Sequence, residues 1–168
     1  TPTAADLVVH DQPMSTASEC IRTVRTNLTF MAVGGSGSKV FAITSSHPQE
    51  GKTMVACNLA AAMAQSGKRV LLVDTDLRRA RIHTSFGITR GEGVSSFVAG
   101  EVDFDRLAQK THVSGLDVIT AGPTPPNPAE LLHSPRFATL VALAREAYDV
   151  VIFDSPPLGA VTDAAILG

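Results

Sequence analysis

Residues 40–65 contain a junction that leaves the chain few architectures. Val40-Phe41-Ala42-Ile43-Thr44 is short, apolar and rich in β-formers. Met54–Gln65 is a small-residue helical pattern stopped by Gly67. Between them lies Ser45-Ser46-His47-Pro48-Gln49-Glu50-Gly51-Lys52-Thr53. A Gly-Lys-Thr where a strand turns into a helix has a physical purpose. Amide N–H groups and the positive helix end surround phosphate oxygens, Lys52 reaches the outer phosphates, and the Thr53 hydroxyl is a ligand for Mg²⁺. The match to G-x-x-x-x-G-K-[ST] has one gap, since Ser46 stands where the first Gly belongs.

Two further runs point to the same place. Val70-Leu71-Leu72-Val73-Asp74-Thr75-Asp76-Leu77-Arg78 is an apolar run of strand length ending in two carboxylates spaced i, i+2. Asp74 and Asp76 share a face if strand geometry persists that far. Tyr148-Asp149-Val150-Val151-Ile152-Phe153-Asp154 is a second buried-type strand ending in an acid. Ligands of open parallel sheets sit beyond the carboxyl ends of the strands. Any one of these acids is equally a turn residue or a helix cap. Three together, with Gly-Lys-Thr, converge on one Mg-nucleotide.

Composition excludes several classes. The 168 residues fit one domain, and 44 % hydrophobic with 18 % charged residues describes a globular protein. A net charge of -2 gives no support to nucleic acid as a partner. Arg78, Arg79 and Arg81 form a local basic cluster for which a nucleotide phosphate, a neighbouring subunit or plain solvent are all suitable partners. Cys20 and Cys57 have neither metal-ligand nor redox spacing and read as reduced helix residues of a cytosolic protein. The five histidines are scattered, without metal-site spacing. No apolar run approaches bilayer-spanning length. The chain starts at Thr1, and only four strands stand out, at about 40–44, 69–74, 116–120 and 149–154. Sheets of this class commonly have more, so further C-terminal elements are expected beyond Gly168.

The order strand, helix, strand, helix, strand, helix, strand predicts an α/β fold of the P-loop NTPase type, a parallel sheet with helices on both faces. Residues 1–14 read as an arm or linker and 15–33 as a helix, with Thr16 and Glu19 in capping-box spacing and Ile21, Val24, Leu28 and Met31 at helical spacing. A Gly/Ser joint at 34–38 leads to the nucleotide-binding core, 39–168. Val102–Lys110 reads as a weak helix, and Pro135–Ala147 as an amphipathic one with Phe137, Leu140, Val141 and Leu143 inward.

With these residues in place, the chain from about residue 15 onward resembles the kinase domain of bacterial tyrosine kinases, which work with polysaccharide co-polymerases in capsule and exopolysaccharide export. Pro48–Thr53 is similar to that family's Walker A, Leu71–Arg78 to its additional Walker A′ motif, and Val151–Pro157 to its Walker B. Gly122–Leu132 also looks like the family's segment. Glu19-Cys20-Ile21-Arg22-Thr23-Val24-Arg25 resembles its Glu-x-x-Arg-x-x-Arg motif of ring-like self-assembly, although Glu19 and Arg22 are equally placed to pair within one helix.

The resemblance implies ATP and Mg²⁺ as cofactors, with Gln49, Glu50, Gly51, Lys52, Thr53, Met54 and Arg78 around the nucleotide. It implies Thr53, Asp74 and Asp154 at the metal, and Lys52, Asp74, Asp76 and Asp154 in catalysis. Asp76 would orient or deprotonate the attacking hydroxyl. Glu19, Arg22 and Arg25 would build a homo-oligomeric ring. A membrane co-polymerase segment, fused or separate, would activate the kinase at the inner face of the plasma membrane, and no nucleic acid takes part. Two departures stand out. Gln49 replaces the family's usual Gly, which costs something if the position needs positive φ. The single tyrosine, Tyr148, begins a core strand and reads as structural, so the family's tyrosine cluster is expected beyond Gly168. An ATPase switch of the septum-site or partitioning type and a nucleotide-responsive scaffold are the alternatives. The first usually carries a second lysine where this chain has Ser45-Ser46-His47-Pro48.

Overall fold

Side chains alternate along a strand, and here that alternation divides the core in two. A computed structural model describes residues 7–32 and 34–157. Its sheet contains β1 (Lys39–Ile43), β2 (Val70–Asp74), β3 (Gln109–Lys110), β4 (Leu116–Ile119) and β5 (Val150–Asp154), in the order β1-β5-β2-β4-β3. All pairs are parallel except β3 with β4. Val70, Leu72, Val118 and Ile152 enter one apolar cluster with Leu59 and Met63. Leu71, Val73, Ile119, Val151 and Phe153 enter another with Phe97, Phe137 and Leu140. β2 and β5 are buried on both faces, which is why they read as unbroken apolar runs.

Helices α1 (Val8–Asp11), α2 (Thr16–Met31) and α3 (Lys52–Gln65) cover the first face. Ala56 to Ala64 are buried without exception, because α3 lies between the sheet and α1 with α2. The second face carries α5 (Val94–Val98) and α7 (Pro135–Ala147), with Phe137, Leu140 and Ala144 inward. The short α4 (Ile82–Phe86) and α6 (Pro128–Leu132) are the remaining α-helices among the described residues.

Four local readings change. Residues 7–13, read with the arm, are anchored: Leu7 and Val9 are buried, and the Val9 amide donates to Asn58 Oδ1 at 3.0 Å. Residues 1–6 lie outside the described residues. Ser15, not Thr16, caps α2, its Oγ accepting from the Ser18 amide at 3.2 Å. Val24 and Met31, on the expected apolar face of α2, are exposed, while Leu28 packs on the core. Val102–Lys110 is a 3-10 turn (Phe104–Arg106) followed by β3. Val102 and Leu107 are both buried, yet five residues on an α-helix turn through about 140°, so a helix would bring only one of them inward.

Tyr148 behaves as its position predicts. Its hydroxyl donates to Asp117 Oδ2 at 2.8 Å, and burial with that carboxylate raises its pKa. The ring packs against the core and its hydroxyl is committed to Asp117, so Tyr148 is a structural residue of the sheet. Tyr148→Phe should cost about 1 kcal/mol in urea denaturation, the usual worth of one such hydrogen bond.

Candidate active site

Parallel pairing brings three strand ends level. Ile43 and Asp74 are both the register partners of Asp154, so the segments after β1, β2 and β5 leave the sheet side by side. Hydroxyls then lock these ends. Ser155 Oγ donates to Ile43 O and Thr75 Oγ1 to Asp154 O, each at 2.9 Å, and Thr44 Oγ1 donates to Pro156 O at 2.9 Å. Sequence reasoning did not single out these three hydroxyls. Their signal is a Ser or Thr immediately after each apolar run.

The loop after β1 closes on itself. Glu50 accepts the amides of Ser46 and His47, at 3.0 and 3.2 Å, and the His47 amide in particular holds its carboxyl below the usual carboxylate range. Gln49 has φ 64 and Gly51 φ 82, two left-handed residues that coil the chain into the start of α3. The position where Gln replaces Gly thus does use positive φ. A side chain there costs about 1–2 kcal/mol, partly offset because Gly adds unfolded-state entropy. Gln49→Gly should therefore raise unfolding free energy by about 0.5–1 kcal/mol, measured by chemical denaturation. The first intrahelical bond of α3 runs from the Val55 amide to Gly51 O at 3.0 Å. The amides of Lys52, Thr53 and Met54 are therefore the unpaired donors of a helix N-terminus.

Lys52 sits where these segments meet. Its Nζ is 2.9 Å from Asp76 Oδ2 and 3.5 Å from Asp154 Oδ1. The side chains are 10 %, 7 % and 1 % exposed, so water does little to screen the group. Burial alone would pull the Lys52 pKa down, but the charge of Asp154 and the hydrogen bond and charge of Asp76 outweigh it and raise it. Thr53 Oγ1 donates to Asp154 Oδ2 at 2.7 Å. Burial raises the Asp154 pKa, opposed by Lys52 and Thr53.

Asp74 is placed differently from the other two acids. It is fully buried, its Oδ1 accepts the Asp76 amide at 3.2 Å, and its Oδ2 accepts the amides of Arg81 and Ile82 at 3.1 and 3.2 Å. It ties down the loop after β2 with both oxygens. Burial, then the Asp154 charge, pushes its pKa up to about 7.

A cavity of about 320 Å³ opens over these groups, lined by Pro48, Gln49, Gly51, Lys52, Thr53, Met54, Asp76, Arg78, Arg79, Arg81, Ser85, Pro156 and Pro157. Ser85 was not legible as a lining residue, because it arrives from α4. Among the described residues no three His, Cys, Asp or Glu side chains form a metal cage. Mg²⁺ is held by one or two protein oxygens while keeping water and substrate phosphate. Here Thr53 and Asp154 form such a pair, beside the α3 N-terminus.

Glu19, Arg22 and Arg25 lie away from this cavity, on α2. Arg22 Nη1 pairs with Glu19 Oε1 at 2.7 Å, and Arg25 Nη1 donates to Ala62 O of α3 at 3.2 Å.

A strand–loop–helix with Lys52 and Thr53 at its turn, flanked by acids at two neighbouring strand ends, defines a P-loop nucleoside-triphosphate-binding protein. A family model described as an AAA domain matches residues 38–168. Tyrosine-protein kinase YwqD of Bacillus subtilis is 45 % identical over 163 residues, 97 % of this chain and 68 % of that protein. Tyrosine-protein kinase wzc of Salmonella typhimurium is 42 % identical over 98 % of this chain, which spans only 23 % of wzc. The kinase domain of Escherichia coli tyrosine kinase ETK superposes with a TM-score of 0.91 at 40 % identity, over 96 % of this chain and 63 % of that domain. The chain belongs to the bacterial tyrosine-protein kinase family. The septum site-determining protein MinD of Pyrococcus horikoshii, at 21 % identity and TM-score 0.65, shares the fold.

Proposed function

We propose that this chain is the catalytic core of an ATP-dependent protein-tyrosine autokinase that serves capsule or exopolysaccharide synthesis and export. The observation that carries this reading is Lys52 held between Asp76 and Asp154 at the ends of parallel strands, with Thr53 on Asp154. Its occurrence in a chain 45 % identical to YwqD supports tyrosine as the acceptor.

Phosphoryl transfer needs positioning and charge neutralisation more than covalent chemistry from the protein. The tyrosine oxygen bonds to the γ-phosphorus, the bond from that phosphorus to the bridging oxygen breaks, and ADP leaves. The phenolic proton passes to a base. Lys52 stabilises charge on the outer phosphates, and the amides of Lys52, Thr53 and Met54 with Gln49, Glu50 and Gly51 wrap them. Arg78 adds charge at the rim. Asp76, already facing the cavity, orients or deprotonates the hydroxyl. Thr53 and Asp154 would hold Mg²⁺, which when bound neutralises phosphate charge. Asp74, whose oxygens take the amides of Asp76, Arg81 and Ile82, would support the metal site through the loop it holds.

Glu19, Arg22 and Arg25 are proposed to contact a second copy in a ring, exchanging their present intrachain partners for intersubunit ones. A membrane polysaccharide co-polymerase would activate the kinase and bring it to the inner face of the plasma membrane. A similar solved structure is the chimerical protein CapA2B2 (TM-score 0.91, 40 % identity). Among the described residues no helix is long and apolar enough to cross a membrane.

The test uses the full-length protein with Mg-ATP, mapping phosphosites by mass spectrometry while counting released phosphate. Lys52-dependent phosphotyrosine is the expected result. Phosphate release without phosphotyrosine would make the protein an ATPase switch, and neither product, with the activating co-polymerase segment also present, would make it a scaffold.

A further inference from the structure

Arg79 and Arg81 directly follow Asp74 and Asp76, and adjacency would have the charges cancel. The fold does not use them that way. Asp76 Oδ1 accepts the main-chain amide of Arg79 at 3.2 Å, while its Oδ2 takes Lys52. Asp74 Oδ2 accepts the main-chain amide of Arg81 at 3.1 Å. The carboxylates therefore grip the backbone of the arginine segment and leave its side chains out. Both residues are exposed, and neither guanidinium has a hydrogen bond or ion pair among the described residues. Both nevertheless line the cavity that holds Lys52, Thr53 and Asp76.

The result is two fixed positive charges at the mouth of the site. The nucleotide phosphates already have Lys52, the α3 amides and Arg78, so charge remains for a second anion. A guanidinium matches carboxylate and phosphate oxygens in bidentate fashion. A nucleic acid is a poor candidate, because the chain carries net charge -2 and only 5 % aromatic residues. The anion would arrive with the other substrate, on the side of the cavity where Asp76 meets the hydroxyl.

We propose that Arg79 and Arg81 select the acceptor, favouring a tyrosine flanked by anionic side chains, either carboxylates or tyrosines already phosphorylated. This rests on the kinase reading above. It makes phosphorylation of clustered tyrosines self-reinforcing, since each phosphate added improves the next site.

The test gives the full-length protein with Mg-ATP three single-acceptor peptides, with Glu, phosphotyrosine or Ser/Gly flanks. The anionic peptides should show KM values about tenfold lower than the neutral one, the worth of one charge-assisted contact. In Arg79→Gln/Arg81→Gln that difference should vanish while KM for ATP moves less than twofold. Preference for the Glu and phosphotyrosine peptides alike means a general anion subsite. Preference for phosphotyrosine alone means that earlier phosphorylation is what is read. A preference that survives in the double variant overturns the proposal, as does a rise in KM for ATP with peptide selectivity intact. A binding arm separates this idea from the kinase reading: anisotropy of a labelled Glu-flanked peptide in the presence of Mg-ADP. Arginine-dependent binding without any transfer, with the co-polymerase activating segment present, would leave the anion subsite standing and sink the kinase assignment. Phosphotyrosine formation without arginine-dependent binding would do the reverse.

Discussion

Lys52→Met should lower phosphotyrosine formation about 1,000-fold, because it removes the cation proposed to meet the transferring phosphate from a site where water does little to replace it. The same change has a second signature that a mere contact residue would not show. Lys52 is the counter-charge of Asp76 and Asp154, both nearly buried. Burial already raises the Asp154 carboxyl above its ordinary 3.8, with the Lys52 charge opposing. Without the lysine that carboxyl rises further. A carboxyl whose folded pKa exceeds its unfolded one binds more protons in the native state, so stability falls as pH rises through that interval. The variant should match the wild type near pH ~4 and be less stable by about 1–3 kcal/mol near pH ~8. Urea melts at both pH values test this. An equal deficit at both would show that Lys52 does not neutralise these carboxylates, even if activity is lost. The fold should survive at either pH, since both sheet faces are packed independently of this site.

Gly93→Ala should remove most of the stability of the domain, more than about 4 kcal/mol. The backbone at Gly93 is extended, so conformation is not the reason; close approach is. A Cβ there would stand 2.2 Å from Thr120 O and 2.3 Å from Gly122 N. Both are backbone atoms at the end of β4, and neither can rotate away. Backing off would also break the bonds from the Val94 amide to Thr120 O and from the Ser95 amide to Ala121 O, at 2.9 and 3.0 Å, which seat α5 on the sheet. Circular dichroism and a denaturant melt decide it. A loss under about 1 kcal/mol would mean that the 93–95 and 120–122 segments do not pack in this way.

Much of the site was legible in the residues because its chemistry is local. Gly51, Lys52 and Thr53 are neighbours in sequence, and each acid ends a run of strand formers. Chain order then places them, since parallel strands put all their carboxyl ends on one side. The Gly that Gln49 replaces raised positive φ only as a condition, which the backbone at Gln49 meets. The two-residue β3 was missed because it is too short to show a period. The anchoring of residues 7–13 was missed because Val9 docks against Asn58, a partner far along the chain.

The acids mark the boundary most clearly. Composition and spacing identify Asp74, Asp76 and Asp154 as a set but give all three the same surroundings. The register, which sets Asp74 and Asp154 side by side, and the turn after β2 make them unequal: Asp74 faces amides, Asp76 and Asp154 face Lys52. Sequence by itself determined the order of the principal strands and their intervening helices, the two-sided burial of the central strands and the phosphate loop, because periodicity and short motifs encode them. Only tertiary structure decided which partner each charge takes. Arg25 reaches Ala62, Tyr148 reaches Asp117, and Arg79 and Arg81 are left outward, because partners 31 to 37 residues apart, or amides gripped in place of guanidiniums, depend on how the layers stack.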